Sequence, residues 1–244
     1  MCFMLKKGFI LLFVFASIAG SVGAQVRIGM KFGYNLGGVI GDFTGRPADN
    51  KPTVAGNPDN FSIRSGFQGG LIVDWKINDV IAFQPGARFS MQGFKDEYRT
   101  GVGANSGIKE SRMFSMYYLQ IPANVQYRLN IAEETNLLFQ AGPYAGFGLF
   151  GRQTRIRNGK TQDLSDNHKK ISFGNDKSFD VQKLMDYGVG VGVGIEFIRF
   201  QFILGYDFGL AKMPFHKAVG SGNYNIDMRN HNFSATMAVI FGRR

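Results

Sequence analysis

Hydrophobic and polar residues alternate at every second position near the start of the chain, over residues 26–36. The apolar positions are Val26, Ile28, Met30, Phe32, Tyr34 and Leu36. The positions between them are Arg27, Gly29, Lys31, Gly33 and Asn35. Because successive side chains of a β-strand point to opposite faces, this pattern predicts a strand with one apolar and one polar face.

The same alternation recurs along the chain and predicts eight strands in all. They cover residues 26–36, 65–77, 80–93, 119–128, 137–147, 185–197, 200–210 and 230–244. The short connections are 78–79, 129–135 and 198–199. The long, polar connections are 37–64, 94–112, 152–183 and 211–229. In an antiparallel meander the long connections all leave from one end, which is the arrangement of bacterial outer-membrane barrels.

The composition of the two faces favours a membrane barrel over a soluble, lipocalin-like barrel, which alternation alone would also fit. The polar face consists largely of Gly, Gln, Asn and Ser, which suit a narrow lumen. Aromatic residues of the apolar face gather near both strand ends, as at two membrane interfaces. Those near the short turns are Trp75, Phe83, Tyr127, Phe139, Phe197, Phe202 and Phe241. Those near the long loops are Tyr34, Phe67, Phe147, Tyr187, Phe208 and Phe233.

The N-terminus has the layout of a secretory signal. Two lysines precede an apolar run over residues 8–19, and small residues follow at 22–24. A short membrane anchor is the alternative, although the run is shorter than the ~20 residues of a spanning helix. The sequence therefore predicts a cleaved signal peptide over residues 1–24 and one outer-membrane β-barrel domain over residues 25–244.

Charge and cysteine usage limit the kinds of ligand and partner expected of the exported chain. The net charge of the whole sequence is +10, and its one cysteine, Cys2, lies in the predicted signal. The mature chain is therefore expected to have no disulfide and no thiolate-bound metal. For a protein at the bacterial outer membrane, a basic balance favours outer-membrane lipid and lipopolysaccharide, and disfavours nucleic acid.

Four segments of the predicted strands resemble the PorT-type outer-membrane β-barrel family. They are YYLQIPANVQYRL at 117–129, AGPYAGFGL at 141–149, DYGVGVGVGIEF at 186–197 and LGYDFGLAKM at 204–213. The resemblance implies an eight-stranded outer-membrane protein. The founding type of that family is associated with protein export through the type IX secretion system, while many relatives have no assigned role.

A run of glycines, MDYGVGVGVGIEF over residues 185–197, is predicted to belong to a strand and not to a phosphate-binding loop. A dinucleotide fingerprint needs glycine at the third position of G-x-G-x-x-G, where this run has Val193. The four glycines fall on the predicted lumen face, where they leave room for bulky neighbours such as Arg88, Gln140 or Tyr144. The glycines are Gly188, Gly190, Gly192 and Gly194.

The sequence offers little for catalysis. Its three histidines are His168, His216 and His231, and they have no metal-ligand spacing. No serine lies in a G-x-S-x-G context. We therefore expect neither a catalytic site nor a cofactor or metal, and a rim-site enzyme is the weaker alternative.

Nine charged residues fall on the predicted lumen face, with both signs represented. They are Arg27, Lys31, Asp74, Lys76, Arg88, Arg128, Asp186, Glu196 and Asp207. Because an unpaired charge in a narrow, dry interior is costly, we expect a polar network that neutralises itself and supports the wall. An ion or proton path through the lumen is the alternative. An open aqueous pore is not expected, because it needs about sixteen strands.

Four basic residues just beyond the outer aromatic belt are candidates for contacts with lipopolysaccharide phosphates. They are Arg152, Arg155, Arg157 and Lys160. The planar guanidinium of arginine donates two parallel hydrogen bonds to phosphate oxygens. A solvated loop without a ligand is the alternative.

The sequence as a whole predicts an all-β, eight-stranded antiparallel up-and-down transmembrane β-barrel, with short periplasmic turns and four long extracellular loops. The function expected of it is a non-enzymatic structural or interaction role at the cell envelope, with an envelope or secretion-machinery protein as partner. An accessory role in type IX-like secretion is one form of this function. A narrow porin-like channel is the alternative, and the sequence does not specify an oligomeric state.

Overall fold

The computed structural model describes residues 26–45, 61–100, 108–164, 169–219 and 222–242. The predicted signal peptide over residues 1–24 and its cleavage site, as well as His168, lie outside these ranges. Eleven strands are present among the described residues. They are β1 (Val26–Gly45), β2 (Phe61–Lys76), β3 (Ile81–Thr100), β4 (Ile108–Ala132), β5 (Thr135–Arg157), β6 (Lys160–Gln162), β7 (Lys170–Ile171), β8 (Met185–Phe197), β9 (Phe200–Gly209), β10 (Met213–Val219) and β11 (Gly222–Phe241). No helix in these ranges is long and apolar enough to cross a membrane.

Eight of the strands form one closed antiparallel ring. Its order is β1–β2–β3–β4–β5–β8–β9–β11, and β11 pairs back with β1, with Ile28 opposite Phe241. Each ring strand therefore neighbours the ring strands before and after it in the chain, which confirms the predicted up-and-down topology. The short strands β6 and β7 pair with β5, and β10 pairs with β11.

The strands continue well beyond the alternating segments, so the predicted extent of the long loops was wrong. The predicted loop 94–112 contains the end of β3 and the start of β4, which pair up to Thr100 and Ile108. The loops 152–183 and 211–229 likewise contain strand residues of β5, β6, β7, β10 and β11. The alternation of the sequence is broken in these extensions, because polar and apolar residues are mixed there. The backbone pairing nevertheless continues.

The apolar face of the ring points outward and the polar face points inward. Ile28, Leu71 and Val125 are 59%, 58% and 50% exposed, whereas Gln84, Gln120 and Gln126 are at most 1% exposed. A continuous apolar wall of this size around the whole ring would aggregate in water, and is the surface that a barrel presents to lipid. The soluble, lipocalin-like alternative requires the opposite orientation.

Four aromatic rings form a ladder across neighbouring strands on this outer wall, at the long-loop end. The ring centroids of Phe67 and Phe89 are 6.2 Å apart, those of Phe89 and Tyr117 are 5.6 Å apart, and those of Tyr117 and Phe150 are 4.6 Å apart. We call these four residues the aromatic ladder. Of its four members, Phe67 was predicted in the outer aromatic belt, whereas Phe89, Tyr117 and Phe150 were not. Aromatic rings of this kind suit a membrane interface.

The interior at the long-loop end is filled by an apolar cluster that sequence reasoning missed. Phe94 stacks on Phe114 with centroids 4.7 Å apart, and Phe215 meets both rings edge-on. We call this cluster the mouth plug. Its buried members are Val39, Phe94, Phe114, Met116, Tyr118, Ile171, Val181, Ala211, Met213, Phe215 and Met228.

The mouth plug is completed by chain that does not belong to the ring. Val181 forms isolated bridges with Phe173 and with Phe215, which brings the segment after β7 across the mouth and against β10. Ile171 of β7 is 2% exposed and lies over Gly151 of β5. The long predicted loop 152–183 therefore folds partly inward as a cap.

Candidate functional site

The candidate site is the interior of the ring, where the sequence predicted nine charged residues. Near the short turns an ion cluster fills this interior. Arg27 of β1 donates to Asp74 Oδ2 of β2, through Nη2 at 2.6 Å and Nε at 3.0 Å. Arg128 of β4 donates to the other oxygen of the same carboxylate. Glu196 of β8 lies 3.8 Å from the Arg27 guanidinium and 3.7 Å from that of Arg128. Two buried cations thus share two buried anions, which makes the cluster neutral.

A layer of glutamine side chains connects this ion cluster to the rest of the lumen. Gln126 Nε2 donates to Gln84 Oε1 and to Gln140 Oε1, both at 3.1 Å. Gln84 Nε2 donates to Gln201 Oε1 at 3.3 Å, and Gln201 Nε2 donates to Glu196 Oε2 at 2.6 Å. Since an amide both donates and accepts, such a layer spans the lumen without adding charge.

A second ion pair crosses the middle of the lumen. Arg88 of β3 donates through Nη2 to Asp207 Oδ2 of β9 at 2.5 Å, and through Nε to Gln120 Oε1 at 2.9 Å. Lys31 lies beside this pair and lines a cavity of about 30 Å³. That volume suffices for one or two water molecules, since a water needs roughly 10–15 Å³ of such space.

The glycine run of β8 provides room for these side chains, as the sequence predicted. A Cβ at Gly190 would lie 2.7 Å from Asp207 Oδ1, and one at Gly192 would lie 3.0 Å from Gln140 Nε2. A Cβ at Gly188 would lie 2.8 Å from the Tyr144 hydroxyl. The glycines are therefore packing positions, where a larger residue would displace the polar network.

The buried carboxylate of Asp186 lies between the Arg88–Asp207 pair and the mouth plug. Asn230 Nδ2 donates to Asp186 Oδ2 at 3.1 Å and to the Tyr118 hydroxyl at 3.2 Å. Tyr118 itself packs edge-on against Phe173 in the mouth plug. Side chains consequently occupy the described interior from the short turns to the outer mouth.

The nine charged residues assigned to the lumen do not form one cluster. Arg27, Asp74, Arg128 and Glu196 come together in the ion cluster, and Arg88 pairs with Asp207. Asp186 is bound by Asn230, and Lys31 faces the cavity. Lys76 is half-buried at the end of β2, beyond the ion cluster.

The four basic residues assigned to lipopolysaccharide do not share one surface. An extra residue in β5 shifts its register against β4 between Phe150 and Gly148, which exchanges the faces of the residues that follow. Arg155 and Arg157 then share the inward face with the buried Gln153, whereas Arg152 is exposed on the outer wall. Lys160 is exposed in β6.

The two histidines in the described ranges lie apart from the buried network. His216 is exposed on β10, and the ring of His231 lies 6.2 Å from that of Tyr206. Among the described residues, no group of three His, Cys, Asp or Glu side chains is arranged to hold a metal ion.

A closed antiparallel ring with an apolar outside and a polar inside defines the class of outer-membrane β-barrels. The family model of the outer membrane protein beta-barrel domain matches residues 15–213, and the chain belongs to that family. No relative was found among curated proteins.

Several solved outer-membrane structures are similar to the chain at low identity. Neisserial surface protein A is 13% identical, with 90% of this chain and 100% of that chain covered and a TM-score of 0.39. The outer membrane protein OprG from Pseudomonas aeruginosa is 13% identical, with 89% and 96% covered and a TM-score of 0.42. The outer membrane protease OmpT from Escherichia coli is 11% identical, with 89% and 96% covered and a TM-score of 0.32. At such values these likenesses do not inform the function.

Removing the central carboxylate of the ion cluster tests how far the fold depends on it. Asp74→Asn leaves Arg27 and Arg128 buried with too few anions, and we expect the free energy of unfolding to fall by about 3–5 kcal/mol. The measurement is urea unfolding in lipid vesicles, followed by the fluorescence of Trp75, the only tryptophan. The control is Glu133→Gln in the exposed turn after β4. Equal unfolding midpoints for the two variants would contradict the assigned role.

Proposed function

We propose that the chain is a non-enzymatic integral outer-membrane protein that acts as a scaffold and presents its capped mouth to a partner in the cell envelope. The observation that carries this proposal is the filled interior. The ion cluster, the glutamine layer, the Arg88–Asp207 pair and the mouth plug follow one another along the lumen. A barrel packed in this way offers its outer wall and its rim for interactions, and not its lumen.

The filled interior also argues against the alternative of a narrow channel. The cavity beside Lys31 measures about 30 Å³, and it lies between the ion cluster and the mouth plug. An ion crossing the lumen would have to separate buried ion pairs and then pass an apolar cluster. Each step carries a high desolvation cost. We therefore assign the nine lumen charges to support of the wall.

Conductance measurements separate a scaffold from a channel. We expect refolded protein in planar bilayers to show no stepwise current, because the side chains of the described residues leave no continuous water path through the lumen. Altered gel mobility without heating confirms that the sample is folded, and a sixteen-stranded porin in the same bilayers is the positive control. Reproducible current steps from the folded protein would contradict the scaffold proposal.

The proposal includes an orientation, with the signal cleaved before Gln25, the short turns in the periplasm and the mouth plug outside. It rests on the length difference between the two ends of the ring, which outer-membrane barrels share. The turn between β4 and β5 is tight, at Glu133 and Glu134, while the opposite end carries β6, β7 and β10.

Cysteine labelling in whole cells tests this orientation. We expect Lys160→Cys at the mouth end to react with a membrane-impermeant maleimide in intact cells. The matched variant Glu133→Cys should react only after the outer membrane is permeabilised, because it lies at the opposite end. The reverse pattern would overturn the orientation.

The finer assignment, an accessory of type IX-like protein secretion, rests on the resemblance of four strand segments to the PorT-type family. The partner would then be a component of the secretion machinery that contacts the rim. Normal release of type IX cargo by cells lacking this protein would exclude that role and leave the scaffold proposal intact.

A further inference from the structure

The outer wall of β5 carries an arginine directly above the aromatic ladder. Phe150 and Arg152 are both exposed and lie two residues apart on the same face, so they are separated by about 6–7 Å along the strand. In the same register, Lys170 of β7 lies opposite Arg152 and is also exposed. Cationic side chains thus lie just beyond an apolar, aromatic surface.

Arg152 also lines a small cavity between β5 and the chain around β6 and β7. The cavity has a volume of about 100 Å³. We call it the Arg152 notch, and its principal residues are Arg152, Thr154, Thr161, Asp163 and Lys169. It offers a guanidinium, an ammonium and two hydroxyl groups as hydrogen-bond donors.

The charge of the notch is positive although it contains a carboxylate. Lys169 Nζ lies 3.5 Å from Asp163 Oδ1, so one cation and one anion offset each other. Arg152 adds one further positive charge, so the formal charge of the notch is +1. A phosphate group matches this arrangement, because guanidinium donors bind phosphate oxygens in a planar, bidentate geometry.

We propose that the Arg152 notch binds a phosphate group of lipopolysaccharide, whose acyl chains lie on the aromatic ladder. This inference rests on the proposed orientation, which places the mouth end in the leaflet that contains lipopolysaccharide. The continuity between the cationic notch and the apolar ladder favours a phosphorylated lipid over a soluble anion. It also replaces the set of four basic residues that the sequence suggested for phosphate contacts, because Arg155 and Arg157 lie on the opposite face.

The opposite placement of the arginines supplies a matched control on the same strand. The test variant is Arg152→Gln with Lys169→Gln, and the control variant is Arg155→Gln with Arg157→Gln. Both remove two positive charges from the same region of the chain. They differ in the face from which the charge is lost.

The experiment quantifies lipopolysaccharide that co-purifies with each variant from outer membranes, per mole of heat-modifiable protein. We expect about tenfold less in the test variant, because charge-assisted contacts to phosphate are lost, and no change in the control. Equal retention in both variants, or equal loss from both, would overturn the proposal. Labelling of Lys160→Cys in intact cells is scored in parallel, so that a wrong orientation is recognised separately from a wrong binding site.

A second measurement does not depend on folding of the variants. Refolded wild-type protein is titrated with intact lipid A and with enzymatically dephosphorylated lipid A, and we expect the intact form to bind at least about tenfold more tightly. Equal affinities would overturn the proposal. Displacement of lipid A by inorganic phosphate at a comparable concentration would identify a soluble-anion site instead, and would also overturn it.

Discussion

The pairing of β1 with β11 is the interaction on which the rest of the structure depends. In a lipid environment each unpaired backbone N–H or C=O group costs several kcal/mol, so a sheet can be stable there only when its two edges pair with each other. In the register of this closure Ile28 lies opposite Phe241, and both side chains belong to the exposed apolar face of the ring. Closure therefore separates an outer face from an enclosed one, and in this ring the enclosed face carries the charged residues.

Burying the polar face of a narrow ring creates a second requirement, because the buried groups must satisfy one another. Many of the buried groups pair in layers: a neutral ion cluster near the short turns, amides above it and a cross-lumen pair in the middle, with an apolar plug at the mouth. Glycines of β8 make the layers possible by leaving space opposite Asp207 and Gln140. The same packing that supports the wall removes the water path that a channel needs.

The ring strands could be predicted from the sequence because one face of each strand is enclosed and the other is exposed, which requires polar and apolar residues to alternate. The prediction failed where this cause no longer acts. Phe94 and Phe114 lie in segments where both faces are mixed, and they meet Phe215 from a separate strand, so no local pattern marked the mouth plug. The division of Arg152 from Arg155 depends on one extra residue in β5. In the sequence this shift shows as two adjacent apolar residues, Leu149 and Phe150, which interrupt the alternation.

The orientation of the apolar wall is the central claim, and Trp75 reports on it directly because it is the only tryptophan and lies on the outer face near the short turns. The measurement is the quenching of its fluorescence in refolded protein, by lipids brominated on their acyl chains and by aqueous iodide. The structure predicts strong quenching by the brominated lipids and weak quenching by iodide. Strong quenching by iodide together with none by brominated lipid would contradict it.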